Sequence, residues 1–239
     1  VLLRNGGTII YRFDNLEIVK EKYYWINISF DLSDSNKRHV YVNGASKSPT
    51  YITYSNSNSG ATSQAAIGSQ LIFTDNFEGE IGEVYFDTAY IDLSADNPFW
   101  DSDTGKPKPV RQVLEETGNT PLIAMPIRAD DAGNNLGTGG DFTVNSGPYT
   151  GARGPSEFWA RGARSDGSTG YLSSSDVGAS NSNKFTFSFG FYYDQSGGDK
   201  IIFQAYTNSS NYIELNRNGA AFQFVAQIGG TVRLIATDI

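Results

Sequence analysis

The sequence predicts an all-β protein, an antiparallel β-sandwich with one short helix. Three observations carry this. Apolar residues recur with period two in short runs dense in β-branched and aromatic side chains, and Gly, Asn, Ser and Asp separate those runs. Asn43-Gly44, Asn218-Gly219, Gly6-Gly7 and Gly229-Gly230 stand where two-residue hairpin turns belong, because each pair can take the positive φ such turns require.

Taken in order, the strand candidates are residues 8–13, 24–32, 39–42, 70–73, 83–86, 122–127, 184–193, 201–206, 212–216, 221–226 and 231–236. The last three form a meander through their turns. Residues 110–116 read as the single helix: Val110, Val113 and Leu114 share a face, Pro109 precedes them and Gly118 stops the run. Alternation of this kind predicts sheets that bury one face and wet the other, packed in pairs.

Composition narrows the function. With 38% hydrophobic residues in 239, the chain can bury a substantial core. The 18 Lys and Arg face 26 Asp and Glu, a net charge of -8, so a nucleic-acid backbone is repelled and no nucleic-acid partner is expected. There is no cysteine and one histidine, His39, which removes disulfides, thiolate chemistry and multi-histidine metal sites. No apolar run approaches the roughly 20 residues of a membrane helix, so no membrane insertion is expected. The chain starts at Val1 and its only methionine is Met125, which reads as a partial or processed chain.

Residues 1–14 and 224–238 echo each other: both place Gly-Gly-Thr followed by a β-branched residue between apolar strands, and the second strand of each ends in an aspartate. Two readings remain open, coincidental hairpins or tandem modules with the chain opening midway through one copy and stopping midway through the next. Residues 94–170, rich in Asp, Gly, Pro and Asn, read as loop and connection. The expected organisation is residues 1–145 as the C-terminal half of a first module with connecting loops, 146–170 as linker, and 171–239 as the N-terminal half of a second module. The halves can also pair with each other.

Trp25 with alternating Ile26, Ile28 and Phe30, then Val40-Tyr41-Val42-Asn43-Gly44, Ala66-Ile67-Gly68 and the run from Phe77 to Phe86 resemble the second half of a laminin G-like, concanavalin A-like jelly roll. Tyr85-Phe86-Asp87, Tyr90-Ile91-Asp92-Leu93-Ser94, Asp103-Thr104-Gly105-Lys106-Pro107, Thr120-Pro121-Leu122 and Gly137-Thr138-Gly139-Gly140-Asp141-Phe142-Thr143-Val144 resemble the tail of jelly-roll modules in phage and prophage virion proteins, tail- and fibre-associated ones above all. The chain departs from that pattern at Asn97-Pro98-Phe99-Trp100, where a basic segment is usual, and at the helix, where a Gly-rich loop is usual. Tyr171-Leu172-Ser173 through Phe189 resembles the opening of another such module.

The resemblance implies a non-catalytic structural or adhesive virion protein on an extracellular particle. Other virion proteins, further copies of the module and cell-surface glycan are its expected partners, and no cofactor is expected. Two alternatives stand beside it. One is a secreted or surface laminin G-like lectin unrelated to phage. The other is a jelly-roll glycoside hydrolase.

The hydrolase reading looks to Glu78-Gly79-Glu80-Ile81-Gly82-Glu83, since retaining glycosidases need two carboxyls about 5 to 5.5 Å apart. Glu78 and Glu80 share a face at i, i+2, and Glu83 joins them only if Gly82 forms a bulge. The same residues also fit an ordinary late strand with its acids facing water. For saccharide binding, the loop of residues 46–64 offers Tyr51, Tyr54, Asn56 and Asn58 as ligand-binding candidates, aromatic faces beside amides. Asp130, Asp131, Asn134, Asn135, Asp101 and Asp103 carry oxygen ligands, but lack the spacing of a calcium loop and read as solvated turns. His39 reads as a structural histidine and Trp25 as core, while Trp100 and Trp159 lie among loop residues.

Overall fold

A computed structural model of the chain describes residues 22–48, 51–54, 63–69, 76–127, 131–145, 163–167, 170–178, 182–193, 200–208, 211–218, 221–228 and 231–237. The first strands are β1 (Lys22–Asp31), β2 (Arg38–Val42), β3 (Ala45–Lys47), β4 (Tyr51–Tyr54), β5 (Gln64–Ile67) and β6 (Glu78–Asp87). A small hairpin, β7 (Trp100–Asp101) and β8 (Lys106–Pro107), leads into α1 (Val110–Thr117). Then come β9 (Ile123–Met125), β10 (Thr143–Asn145), β11 (Ala163–Asp166) and β12 (Tyr171–Ser174). The chain closes with β13 (Lys184–Tyr193), β14 (Lys200–Asn208), β15 (Asn211–Asn218), β16 (Ala221–Ile228) and β17 (Thr231–Thr237).

These strands make an all-β, sandwich-like body of two antiparallel sheets. Sheet A runs β11-β6-β13-β1-β2-β3, with β9 continuing beside β6 beyond β11. Sheet B runs β10-β12-β5-β14-β15-β16-β17-β4. Strands from before and after residues 146–170 are interleaved in both sheets. β13 lies between β1 and β6, and β5 lies between β12 and β14. The predicted meander is present as β15-β16-β17. The sequence candidates at 8–13 and 70–73, with Trp159, fall outside the described residues.

The core sits between the sheets. Sheet A contributes Ile26, Ile28 and Phe30 from β1 and Phe185, Phe187, Phe189 and Phe191 from β13. Sheet B answers with Ile67, Phe203, Ala205, Ile213 and Leu215. Rings cross the gap: Phe187 and Phe203 have centroids 4.5 Å apart, and Phe86 and Phe203 5.4 Å. Such aromatic pairs add roughly 0.5–1.5 kcal/mol each beyond the area they bury.

Sheet A departs from the one-dry, one-wet expectation. The residues of β1 and β13 that alternate with the core set, Asn27, Ser29, Thr186 and Ser188, are buried too. A second cluster covers them, built from Tyr85 and Ala124 on the sheet and Leu93, Phe99, Val110 and Val113 above it. Burial of polar side chains is tolerated because they bond one another and the covering chain. Asn27 Nδ2 donates to Ser188 Oγ at 2.7 Å, Ser29 and Thr186 hydroxyls lie 2.9 Å apart, and the Ile91 N–H donates to Ser29 Oγ at 3.0 Å. Trp25 is buried as expected, but on this outer face, where its Nε1 donates to Ser188 Oγ at 3.2 Å.

The Asn43-Gly44 turn forms between β2 and β3 with φ of 50° and 74°, the left-handed pair a tight hairpin needs. Trp100 packs over it: a Cβ on Gly44 would stand 2.3 Å from the indole. Opposite Trp25, a Cβ on Gly190 would stand 2.4 Å from Trp25 Cε3 in a site walled by sheet. Gly190→Ala therefore overpacks the seam between β1 and β13. We expect a loss of about 1–3 kcal/mol, read as roughly 2–4 °C of melting temperature per kcal/mol. An unchanged melt would show that Trp25 does not lie against Gly190.

Candidate functional site

The acid-rich strand β6 tests the catalytic reading directly. Its pairing with β13 sets Ile81 against Phe191 and Val84 against Phe189, so Gly82 and Glu83 together oppose Gly190. This is the bulge on which the sequence argument turned. It keeps Ile81, Val84 and Phe86 in the core and brings Glu80 and Glu83 to the same outer face of sheet A. The strand begins at Glu78, five residues before the sequence candidate, and Gly79 makes that extension possible. Its φ is 147°, and a Cβ there would meet Tyr192 O at 2.2 Å.

Both central acids are engaged and buried. Glu80 accepts a hydrogen bond from the Tyr23 hydroxyl, and Glu83 accepts one from the Val110 N–H. Their exposures are 7% and 5%. Glu83 thereby supplies a cap that α1 lacks locally, since Pro109 makes no side-chain cap bond and the first turn has no acid. A carboxylate at a helix N-terminus is favoured by the orphan N–H groups and the helix dipole. The space beside Glu83, walled by Trp25, Tyr85, Phe99, Lys108 and Val110, is too tight for a water molecule. At the other end of α1, Gly118 adopts φ 67° and its N–H donates to Leu114 O, the stop read from the sequence.

The saccharide candidates separate. Tyr51 and Tyr54 belong to β4 at the edge of sheet B, where Tyr54 pairs with Leu234 and Tyr51 with Ala236 of β17. They are strand residues, whereas the sequence placed them in a loop. Asn56 and Asn58 lie outside the described residues.

The oxygen-rich turns are structural. Asp101 Oδ1 accepts from the N–H groups of Asp103 and Thr104, closing the β7–β8 turn, and bonds from Thr104 hold its carboxyl below the usual range. Asp131 Oδ2 accepts from Asn134 Nδ2 at 2.9 Å. Asn135 is buried, not solvated: its Oδ1 accepts from Ala124 and Gly137 N–H, and its Nδ2 donates to the carbonyls of Leu122 and Gly139. That side chain ties β9 to the glycine run. The Thr138 and Gly139 N–H groups donate to the Pro121 and Leu122 carbonyls, so the Thr120-Pro121-Leu122 and Gly137–Val144 motifs are docked on each other. Among the described residues, no group of three or more His, Cys, Asp or Glu side chains could hold a metal ion.

His39 joins a surface cluster. Its Nε2 is 2.7 Å from Tyr90 Oη and 3.4 Å from Asp92 Oδ1. Burial, with Asp92, Asp31 and Asp34 nearby, pushes the Tyr90 phenol up to about 12. Asp31, whose side chain is 3% exposed, receives Ser33 N–H at 3.0 Å and the Ser33 hydroxyl, with Lys184 and Lys37 at 3.6 and 3.9 Å. Burial alone would raise its pKa, but the Ser33 bonds and the two lysines hold it below the usual 3.8.

A further polar cluster, which sequence reasoning missed, lies on sheet B. β14 and β15 send Phe203, Ala205, Ile213 and Leu215 into the core, so Gln204, Tyr206, Tyr212, Glu214 and Asn216 take the outer face. Gln204 Nε2 donates to Glu214 Oε2 at 2.8 Å, and Asn216 Nδ2 donates to Glu214 Oε1. Burial, then the Glu214 charge, pushes the Tyr212 phenol up to about 12. The alternation Tyr-Ile-Glu-Leu-Asn marks these as outward residues; their burial could not be read from it.

No family model, no curated protein and no solved structure matches the chain.

Two measurements check this geometry. Glu83→Ala leaves the Val110 N–H buried without an acceptor and is expected to cost about 1–3 kcal/mol, while Glu83→Gln retains an acceptor and loses only the charge, about 0.3–1 kcal/mol. Equal effects would argue against the cap. Because the folded pKa of Asp31 is depressed, the stability it supplies is present above its unfolded value and lost as pH falls through the folded one. Asp31→Asn should therefore flatten the acid limb of a stability-versus-pH curve below about pH 4; an unaltered limb would contradict the assignment.

Proposed function

We propose that this chain is a non-catalytic structural and adhesive module of a phage virion, tail- or fibre-associated, built as a concanavalin A-like jelly roll. Its partners are other virion proteins, further copies of the module and cell-surface carbohydrate. The observation that supports this most is the employment of Glu83. A retaining glycosidase needs its acids open to a sugar across a groove, and here the acid is roofed by α1 and Phe99 and spends its carboxylate on a backbone N–H. The outer face of sheet A is thus occupied by the chain itself.

The virion part is supported by the likeness over residues 85–144. Two of the motifs that carry it form one docked unit around Asn135, so these residues have a joint physical task. The adhesive part rests on the resemblance to fibre-associated modules alone.

Incubation of the full chain with β-glucans and with a panel of bacterial surface glycans tests both halves. Retention on at least one glycan with no release of reducing sugar is the expected result. Product release that Glu83→Gln abolishes would replace this reading with a hydrolase. Binding that disappears on chelation of Ca²⁺ would favour the laminin G-like lectin. Antibodies against the chain should label the tail or fibres of purified particles from the source organism, and particles without label would remove the virion assignment.

A further inference from the structure

The chain holds one histidine, and the structure sets it where the covering segment meets sheet A. His39 lies on β2 with its side chain 13% exposed, and its Nε2 faces two groups of that segment, Tyr90 Oη at 2.7 Å and Asp92 Oδ1 at 3.4 Å. The residues around them fasten the segment to the sheet. The Ile91 N–H donates to Ser29 Oγ and Thr186 Oγ1, and Leu93 is buried in the second cluster. Other charges face the pair from the β1–β2 turn and from β13. Asp31 is matched by Lys37 and Lys184, Asp34 by Lys37 at 3.8 Å, and Lys37 Nζ stands 5.8 Å from the centre of the Tyr90 ring. Arg38 precedes His39 on β2 and alternates to the opposite face. Asp92 accepts from the Ser94 N–H and hydroxyl, but among the described residues no lysine or arginine lies at ion-pair distance, which leaves His39 as its cation.

We propose that His39 is an acid-tightened latch for the covering segment: protonation of its ring adds an ion pair with Asp92 to the hydrogen bond with Tyr90 and holds residues 88–94 more firmly on sheet A. This goes beyond the adhesive reading and does not depend on it. A neutral imidazole can accept or donate at Nε2 according to its tautomer, but in neither form does it bring charge to Asp92. Tyr90 is a neutral partner throughout, because burial and the charges of Asp92, Asp31 and Asp34 push its phenol up to about 12. Asp92 is ionised wherever an imidazole titrates, since bonds from the Ser94 hydroxyl and N–H hold its carboxyl below the usual 3.8. The sign follows from linkage. Docking that favours the imidazolium takes up a proton, so it is strongest on the acid side of the imidazole titration and weakens as pH rises. Asp92 is half-exposed, which limits the gain to about two- to fivefold in the docking equilibrium.

Hydrogen exchange of the full chain, followed at the Ile91 amide at about pH 5.5 and about pH 7.5, tests the latch once the intrinsic pH dependence of exchange is divided out. Protection of Ile91 should rise about two- to fivefold on acidification. His39→Gln keeps a hydrogen-bonding side chain beside Tyr90 but cannot titrate, and should show no rise. Asp92→Asn, a change at an exposed side chain, should lose the rise as well, and it decides the matter if His39→Gln fails to fold. Asp87 is the rival source of a pH response, because burial pushes its carboxyl up and it accepts the Thr88 N–H at the start of the segment. A rise that persists in His39→Gln would assign the response to carboxyls such as Asp87 and overturn the latch. Equal protection at both pH values in the unmodified chain would overturn it, and so would a full response in Asp92→Asn.

Discussion

The structure depends on the seating of β13 between β1 and β6. That strand pairs along ten residues with β1 and, through the bulge, along nearly its full length with β6. Without it, both neighbours would present unpaired backbone edges, and the core would lose four phenylalanines, Phe185, Phe187, Phe189 and Phe191. Its other face is equally constrained. Thr186 and Ser188 are small enough to fit beneath the covering layer and polar enough to hold it, while Gly190 leaves room for Trp25. One strand therefore sets the core on one side and the docking surface on the other.

The covering layer follows from that surface. Residues 88–108 are held by Ser29, Thr186 and Asn27, which accept from or donate to Ile91, Ala89 and Asn97. Once this segment is laid down, Phe99 meets Tyr85 edge-on at 4.9 Å and α1 arrives with its N-terminus over Glu83. The acid that a sequence reader would nominate for chemistry becomes a helix cap because the bulge aims it at that position. Polar hydrogen bonding here fixes a particular packing that apolar contact alone would specify less sharply.

Much of the fold was legible in the residues. Period two, the Asn43-Gly44 turn, the helix bracketed by Pro109 and Gly118, the closing meander and the extent of β13 all emerged where local chemistry and tertiary context agree. What was not legible is equally specific. The strands Gln64–Ile67 and Tyr171–Ser174 are short and rich in Ala and Ser, and exist because β14 and each other complete their ladders. The first turn of β6 was obscured by glycines that turn out to relieve backbone crowding. The second burial of sheet A was invisible because Asn, Ser and Thr facing a covering loop look the same in sequence as Asn, Ser and Thr facing water. The Gln204, Glu214, Asn216 cluster was missed for the same reason, and Tyr51 and Tyr54 were placed in a loop because four residues give too little period to distinguish a strand.

The late position of β13 in the chain also dictates when order can arise. Asn27 meets Ser188 across 161 residues of sequence, and Ser29 meets Thr186 across 157. Each such closure surrenders chain entropy before the contact rewards it, which slows folding relative to proteins of local contacts. During synthesis, β1 and β6 must wait on the ribosome's delivery of a strand that follows β6 by roughly 100 residues and β1 by roughly 160. Their hydrogen-bonding edges stay available to neighbouring chains through that interval, making the nascent protein prone to strand exchange or to chaperone dependence.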